Sequence, residues 1–330
     1  MAAVRDALDI EGIRGSVAQS FRDKDRMKDV LRAHRVPVAR SGLAHSPAAL
    51  RKFIDEVGYP VIVKPQAGLG ARSTYRIGSD AELAALEQKG TVPTAHAPLQ
   101  IEEFVRARER TCETVTVKGE VVWRSGTHYL PSPLEVLETP WKQYCVLLER
   151  EEDEELARFA PVYASALAAL FGASAGTAAG TALTHMEWFV RDDGTSLVNE
   201  VGARPPGVQI MPLMSIAHEA DFWSEWATLI ASDRFVPRPR RWAAGAAFLR
   251  GQGSGARVVS VTSEATRRGS RRFRAGDRHA SPGVGLSTSA RFVAFSRSSP
   301  PAASLAVRIS PQSSTHSSPG RRTERRLRGT

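Results

Sequence analysis

One stretch of this chain limits its folds more than any other: Thr184 to Gly207, T-H-M-E-W-F-V-R-D-D-G-T-S-L-V-N-E-V-G-A-R-P-P-G. Asp193-Gly194 is a two-residue type I′ turn signal flanked on both sides by apolar runs, so the segment reads as a β-hairpin. With those two residues as the turn, Asp192 pairs with Thr195, and counting outward sets Glu187 opposite Glu200. Opposed side chains have Cβ atoms roughly 5 Å apart, and like charges there destabilise the pair. A sheet that keeps both carboxylates face to face calls for a cation between them. Magnesium suits such a place, as a hard ion bound by carboxylate oxygen that retains waters and accepts phosphate as a further ligand. Alternation carries Gly202 and then Arg204 onto the same face, and Arg204 is a planar donor matched to phosphate or carboxylate. Two readings fit this stretch alone: a metal-binding hairpin, or an exposed hairpin whose acids face water.

The 330 residues, 42% of them hydrophobic, allow two domains with filled cores. No run approaches the roughly 20 apolar residues that span a bilayer, and Arg5, Asp6, Asp9 and Glu11 leave no room for a signal peptide. Cys112 and Cys145 make neither a disulfide framework nor a zinc site, so a cytoplasmic location is expected. The net charge of +10 is uneven: residues 254–330 hold 15 Arg against 3 acids, a net of +12, which leaves −2 for the first 253. The body is mildly acidic, which argues against a basic nucleic-acid groove on it.

Taken in order, residues 1–20 are short and weakly patterned, and Phe21 to His34 reads as a helix with Asp23 near its start. Lys24 falls in its first turn, where a cation opposes the helix dipole unless an anion also binds there; surface decoration is the alternative. Ser46-Pro47 opens a helix that Gly58 closes. Tyr59 to Pro65 is a buried strand ending at Lys64. The loop Gln66 to Ser73 follows, with Gly68, Gly70 and Ala71, and Thr74 to Ile77 resumes a strand. A loop of this kind can lay backbone N–H groups on phosphates, but it leads into a strand rather than the helix of a P-loop, and a plain β-turn is the alternative. Ser79 and Glu82 form a capping box for a helix over 80–89. Leu99 to Val105 is a strand. A hairpin turns at Lys118-Gly119, and Asp153 to Phe171 is a helix with Leu156, Phe159, Val162, Leu167 and Leu170 inward. The acidic run Glu149–Glu155 reads as its solvated start. Ala217 to Ile230 reads as one helix with Trp223 and Trp226 in the core. Exposed acids such as Glu102, Glu109 and Glu113 would ordinarily be only solvated.

The order of these motifs resembles the ATP-grasp superfamily, and within it the carboxylate–amine ligases. D-K-D-x-M-K lies in a helix, G-Y-P-V-I-V-K-P precedes a glycine loop, and I-E-E-F-V is followed by a later Glu; then comes H-M-E…N-E-V-G-A-R-P-P-G. The resemblance runs from about Phe21 to Gly253. It implies an α+β fold in two lobes, with ATP between two antiparallel sheets. Lys24 and Lys64 match the lysines on the ATP phosphates, and Gly68, Gly70 and Ala71 the loop that closes over them. Glu102 and Val105 match the adenine-recognising segment, and Glu109 the ribose-binding acid. Glu187 and Glu200 match the Mg²⁺ (or Mn²⁺) ligands, and Arg204 the arginine facing the transferred phosphate. Gly202 departs from the pattern, since many members have Asn there as a third ligand. Alternation turns Asn199 to the opposite face. His185 shares the face of Glu187, with a substrate role and a structural role both open.

The implied chemistry is acyl-phosphate activation of a carboxylate and its capture by an amine, both small molecules, in a chain that could be a homodimer. Residues 1–20 would then be the remnant of a preceding domain or a linker, 21–105 the small lobe, and 106–262 an incomplete large lobe. Residues 263–330, rich in Arg, Ser and Pro, are expected to form a disordered tail. Arginine without lysine is also what GC-rich DNA yields out of frame, so a frameshifted end competes with a native basic tail that binds nucleic acid. A nucleotide-binding fragment without turnover is the other function class.

Overall fold

A computed structural model describes residues 2–66, 73–139, 142, 144–172, 176–250 and 288–295, the last segment and 249–250 by backbone alone. Among the described residues before 251 are ten strands and nine α-helices: α1 (Ala2–Leu8), α2 (Gly15–Ser20), α3 (Lys24–Ala33), β1 (Ser41–Ala44), α4 (Pro47–Val57), β2 (Val61–Pro65), β3 (Tyr75–Ile77), α5 (Asp80–Gln88), β4 (Leu99–Glu103), β5 (Arg108–Val117), β6 (Glu120–Leu130), α6 (Pro133–Glu138), β7 (Tyr144–Leu148), α7 (Glu154–Phe171), β8 (Ala182–Val190), β9 (Ser196–Gly202), α8 (Ile210–His218), α9 (Phe222–Ser232) and β10 (Ala243–Arg250). Strand β11 (Thr288–Phe295) follows. A four-stranded sheet has the order β1-β4-β2-β3 and a seven-stranded one β11-β10-β7-β6-β5-β8-β9. Neighbouring strands in both sheets are antiparallel.

The small sheet covers its own core of Val61, Val63, Ile77, Leu83 and Ile101 with α4 and α5. Local chemistry places both helices: Ser46 Oγ accepts from Ala49 N, and Gly58 ends α4 at φ 77°. Ser79 Oγ accepts from Glu82 N, while the Glu82 carboxylate reaches back to Gly78 N at 2.7 Å. The large sheet buries α7 on one face and α8 with α9 in a second cluster.

Helix α3 does not follow the expected lobe boundary. Its Met27 and Leu31 are packed with Phe159, Leu167, Trp188, Val198 and Val201 of the large lobe, and Val17 of α2 joins them. Burying such side chains contributes about 1.5–3 kcal/mol each, which fixes α3 to the large lobe although it precedes the small sheet in sequence. The bridge between Val38 and Val198 continues that attachment.

Four expectations are corrected. The helix read over 217–230 is two helices, because Asp221 accepts from Trp223 N and Ser224 N and so starts a new one. Trp223 is 50% exposed rather than core. The acidic run before α7 is not simply solvated: Arg124 pairs with Glu152, Arg110 with Asp153 and Glu155, and Arg108 with Glu155. Within the stretch read as a tail, residues 288–295 pair antiparallel with β10 from Ala243↔Phe295 to Arg250↔Thr288. Their Phe, Val and Thr content suits a strand, and β10 offers an edge to pair with.

Candidate active site

Glu187 does face Glu200 across β8 and β9, but by a different route from the sequence count. The turn is one residue longer than Asp193-Gly194. Arg191 N bonds to Thr195 O, Gly194 N bonds to Arg191 O, and Gly194 sits at φ 81°, a three-residue loop. Pairing then runs Val190↔Ser196, Phe189↔Leu197 and Trp188↔Val198, until a bulge at Asn199 restores Glu187↔Glu200. Val198 and Val201, three residues apart, consequently enter the same hydrophobic cluster. The bulge also suspends the alternation that assigned Asn199 a face.

Around the two acids the fold assembles cations from separate elements. Lys24 Nζ lies 3.3 Å from Glu200 Oε2, so the first-turn lysine of α3 has its anion. Asp23 caps that helix by accepting from Asp25 N and Arg26 N, and its other oxygen accepts from Gln66 Nε2 at 3.0 Å, beside the glycine-rich loop. Lys64, nine-tenths buried at the end of β2, sits 2.9 Å from Glu102 Oε1. Burial pushes the Lys64 ammonium down, and Glu102, Glu200 and Glu187 outweigh it, so its pKa is raised. Gly68, Gly70 and Ala71 lie outside the described residues.

His185 is buried between two acids, its Nδ1 2.8 Å from Glu113 Oε1 and its Nε2 3.5 Å from Glu187 Oε1. Burial alone would discharge the ring, but the two carboxylates bring it to about 9, which makes it an imidazolium. Glu113 is held in turn by Thr111 Oγ1 at 3.0 Å. For Glu187, burial acts upward and is overcome by His185, Arg204 and Lys64, so its carboxyl is lowered. Glu109 is driven to about 8, by burial first and then by Glu187. Glu109 thus keeps its proton through burial first, with the charges of Glu187 on β8 and Glu200 on β9 adding to it.

Those residues fit a hard divalent ion: two opposed carboxylates, a further acid in Glu109 that feels the charge of both, and flanking lysines suited to phosphate. Among the described residues a second group with metal-ligand chemistry, His128, Glu149 and Asp153, stands apart. Arg110 is bound there to Asp153 and lies 2.8 Å from His128 Nε2, so a guanidinium already supplies the positive charge.

Gly202 has a local explanation. A Cβ there would fall 3.3 Å from Cγ and Nε of Arg204, whose side chain folds back over the strand and gives a hydrogen bond to Pro205 O at 3.0 Å. An Asn at 202 would contest that space. Val105 forms a small apolar cluster with Ala39 and Leu197, flanked by Ala107 and Phe189. Sequence reading missed Ala39, Leu197 and Phe189. Only the pairing Phe189↔Leu197, set by the longer turn, brings the last two onto one face.

The fold has known counterparts. The solved structure of L-amino acid ligase from Bacillus licheniformis superposes over 89% of this chain and 72% of its own, with a TM-score of 0.65 and 19% identity. This is the ATP-grasp fold. N5-carboxyaminoimidazole synthase from Aspergillus clavatus, solved with ADP and 5-aminoimidazole ribonucleotide, shares the fold over 77% of this chain and 63% of its own, at TM-score 0.58 and 18% identity. Residues 23–118, from the start of α3 into β6's turn, match the family model "Carbamoyl-phosphate synthase L chain, ATP binding domain". Carbamoyl phosphate synthase large chain from Methanoregula boonei is 30% identical over 84 residues, and the arginine-specific large chain from Geobacillus stearothermophilus 25% over 111. Those stretches are 26% and 34% of this chain, and it spans 8% and 10% of the length of the two relatives. No helix of the described residues is long and apolar enough to cross a membrane.

Proposed function

We propose that the chain is an ATP- and Mg²⁺-dependent ligase that joins a carboxylate to an amine. The γ-phosphoryl group of ATP passes to a carboxylate oxygen, giving ADP and an acyl phosphate. The amine nitrogen then bonds to the acyl carbon, the bond to phosphate breaks, and phosphate and a proton leave. Such transfers depend on positioning and charge neutralisation rather than on a nucleophilic side chain.

Each part has residues suited to it. Lys24 and Lys64 neutralise the triphosphate, and backbone N–H groups of Gly68, Gly70 and Ala71 cover it. The backbone from Glu102 to Val105 takes the adenine edge, with Val105, Leu197 and Phe189 forming an apolar floor for the base. Glu109 takes the ribose hydroxyls. Glu187 and Glu200 hold Mg²⁺, which when bound screens the charge gathering on the moving phosphoryl group. Arg204 faces that group and the acyl intermediate.

The observation carrying this reading is Glu187 in register with Glu200, with Lys24 on one acid and Lys64 in the field of both. A thermal-shift assay tests the metal assignment. ATP with Mg²⁺ should stabilise the wild type, by about 2.7 kcal/mol at a hundred-fold excess over Kd. Glu187→Gln and Glu200→Gln should lose the Mg²⁺-dependent part. Unchanged stabilisation in both variants refutes it. ADP release on adding amino acids separates a ligase from a chain that binds nucleotide without turnover.

A further inference from the structure

Lys28 has no place in the site as drawn, yet it is the most thoroughly buried cation near it. It lies one turn beyond Lys24 on α3, is 0% exposed, and has its Nζ 2.8 Å from Glu102 Oε1. The same oxygen holds Lys64 at 2.9 Å. Two ammonium groups from two lobes therefore share one carboxylate oxygen: Lys28 from a helix packed into the large-lobe core, Lys64 and Glu102 from adjacent strands of the small sheet. Burial raises the Glu102 carboxyl, and the two lysines overcome that and hold it at about 2, a full anion.

We infer that Lys28 is a positioning residue that releases Lys64 to the nucleotide. This rests on the ATP reading above. If Glu102 had Lys64 as its only partner, moving Lys64 onto a phosphate would strand a buried carboxylate, and breaking a buried pair by removing one partner is strongly destabilising. That penalty would oppose binding. With Lys28 in place Glu102 stays paired, and Lys64 exchanges one anion for another. Gln100, fully buried directly across from Lys64, has neither amide atom partnered. The cluster thus has acceptors and donors in hand for a second arrangement.

Calorimetric ATP binding, paired with the melting temperature of the nucleotide-free protein, tests this on the full chain. Lys28→Met should weaken ATP binding roughly ten-fold or more, because Lys64 is then the sole counter-ion of Glu102. Lys28→Arg should remain within about three-fold of wild type, since a guanidinium also pairs with the carboxylate. The double variant Lys28→Met/Glu102→Gln should bind ATP several-fold more tightly than Lys28→Met, because no anion remains to hold Lys64 back and the backbone that meets the adenine edge is kept. A merely structural Lys28 gives affinities that follow the melting temperatures, with no recovery in the double variant, and that overturns the inference. So does Lys28→Met binding ATP as the wild type does. If Lys28→Met alone does not fold, the double variant decides, since ten-fold weaker binding by it also overturns the inference. A wild type that binds no ATP instead removes the ATP reading itself.

Discussion

Glu109 gives the site its sharpest pH dependence. Its carboxyl is raised from 4.5 to about 8, so the folded protein keeps a proton that the unfolded chain has released. The stability linked to that proton is complete below about 4.5 and is lost as pH rises through about 8. In the absence of nucleotide and metal, the urea midpoint of the wild type should therefore fall between pH 5.5 and 8.5 more steeply than that of Glu109→Gln. His185, raised to about 9, loses stability in the same direction but is present in both proteins, so the difference isolates Glu109. Parallel curves would show that Glu109 ionises freely. The residue was legible in the sequence as an acid at the right distance after I-E-E-F-V. Its protonation was not, since that comes first from burial in the folded site and then from Glu187, on a strand nearly eighty residues away.

At the scale of elements, α7 on the large sheet leaves little tolerance. Gly126 of β6 lies under Leu156, and a Cβ there would be 2.7 Å from Leu156 Cδ2 and 3.1 Å from Thr111 O. Gly126→Ala should lower stability by about 1–3 kcal/mol in urea unfolding, the usual range for overpacking. Trimming Leu156 to Val in the same chain should recover part of that loss. An unchanged midpoint in Gly126→Ala would mean that α7 shifts freely on the sheet. The elements most readily foreseen were those with local punctuation: α4 between Ser46 and Gly58, α5 behind Ser79, and α7 behind Asp153. Strand β7 and helix α6 carry weaker patterns and were not anticipated. The single helix expected over 217–230 failed because a capping aspartate outweighed a continuous apolar period.

For the molecule as a whole, β11 decides where the chain can be shortened. It covers the edge of β10 over eight residue pairs. A chain cut after Gly253 should expose that edge and form larger species in size-exclusion chromatography, whereas one cut after Ser298 should match the full chain. Identical elution of the two truncations would show that β11 does not protect the sheet. The sequence by itself determined the two lysine-bearing segments, the acid pair on one hairpin and the α+β class, because capping, turn chemistry and alternation act over a few residues. Tertiary structure alone decided that α3 belongs to the large-lobe core, that a longer turn and a bulge offset each other to align Glu187 with Glu200, and that Lys28 reaches Glu102. Those outcomes depend on which surfaces meet across the fold, and packing between distant segments leaves no period in the chain to read.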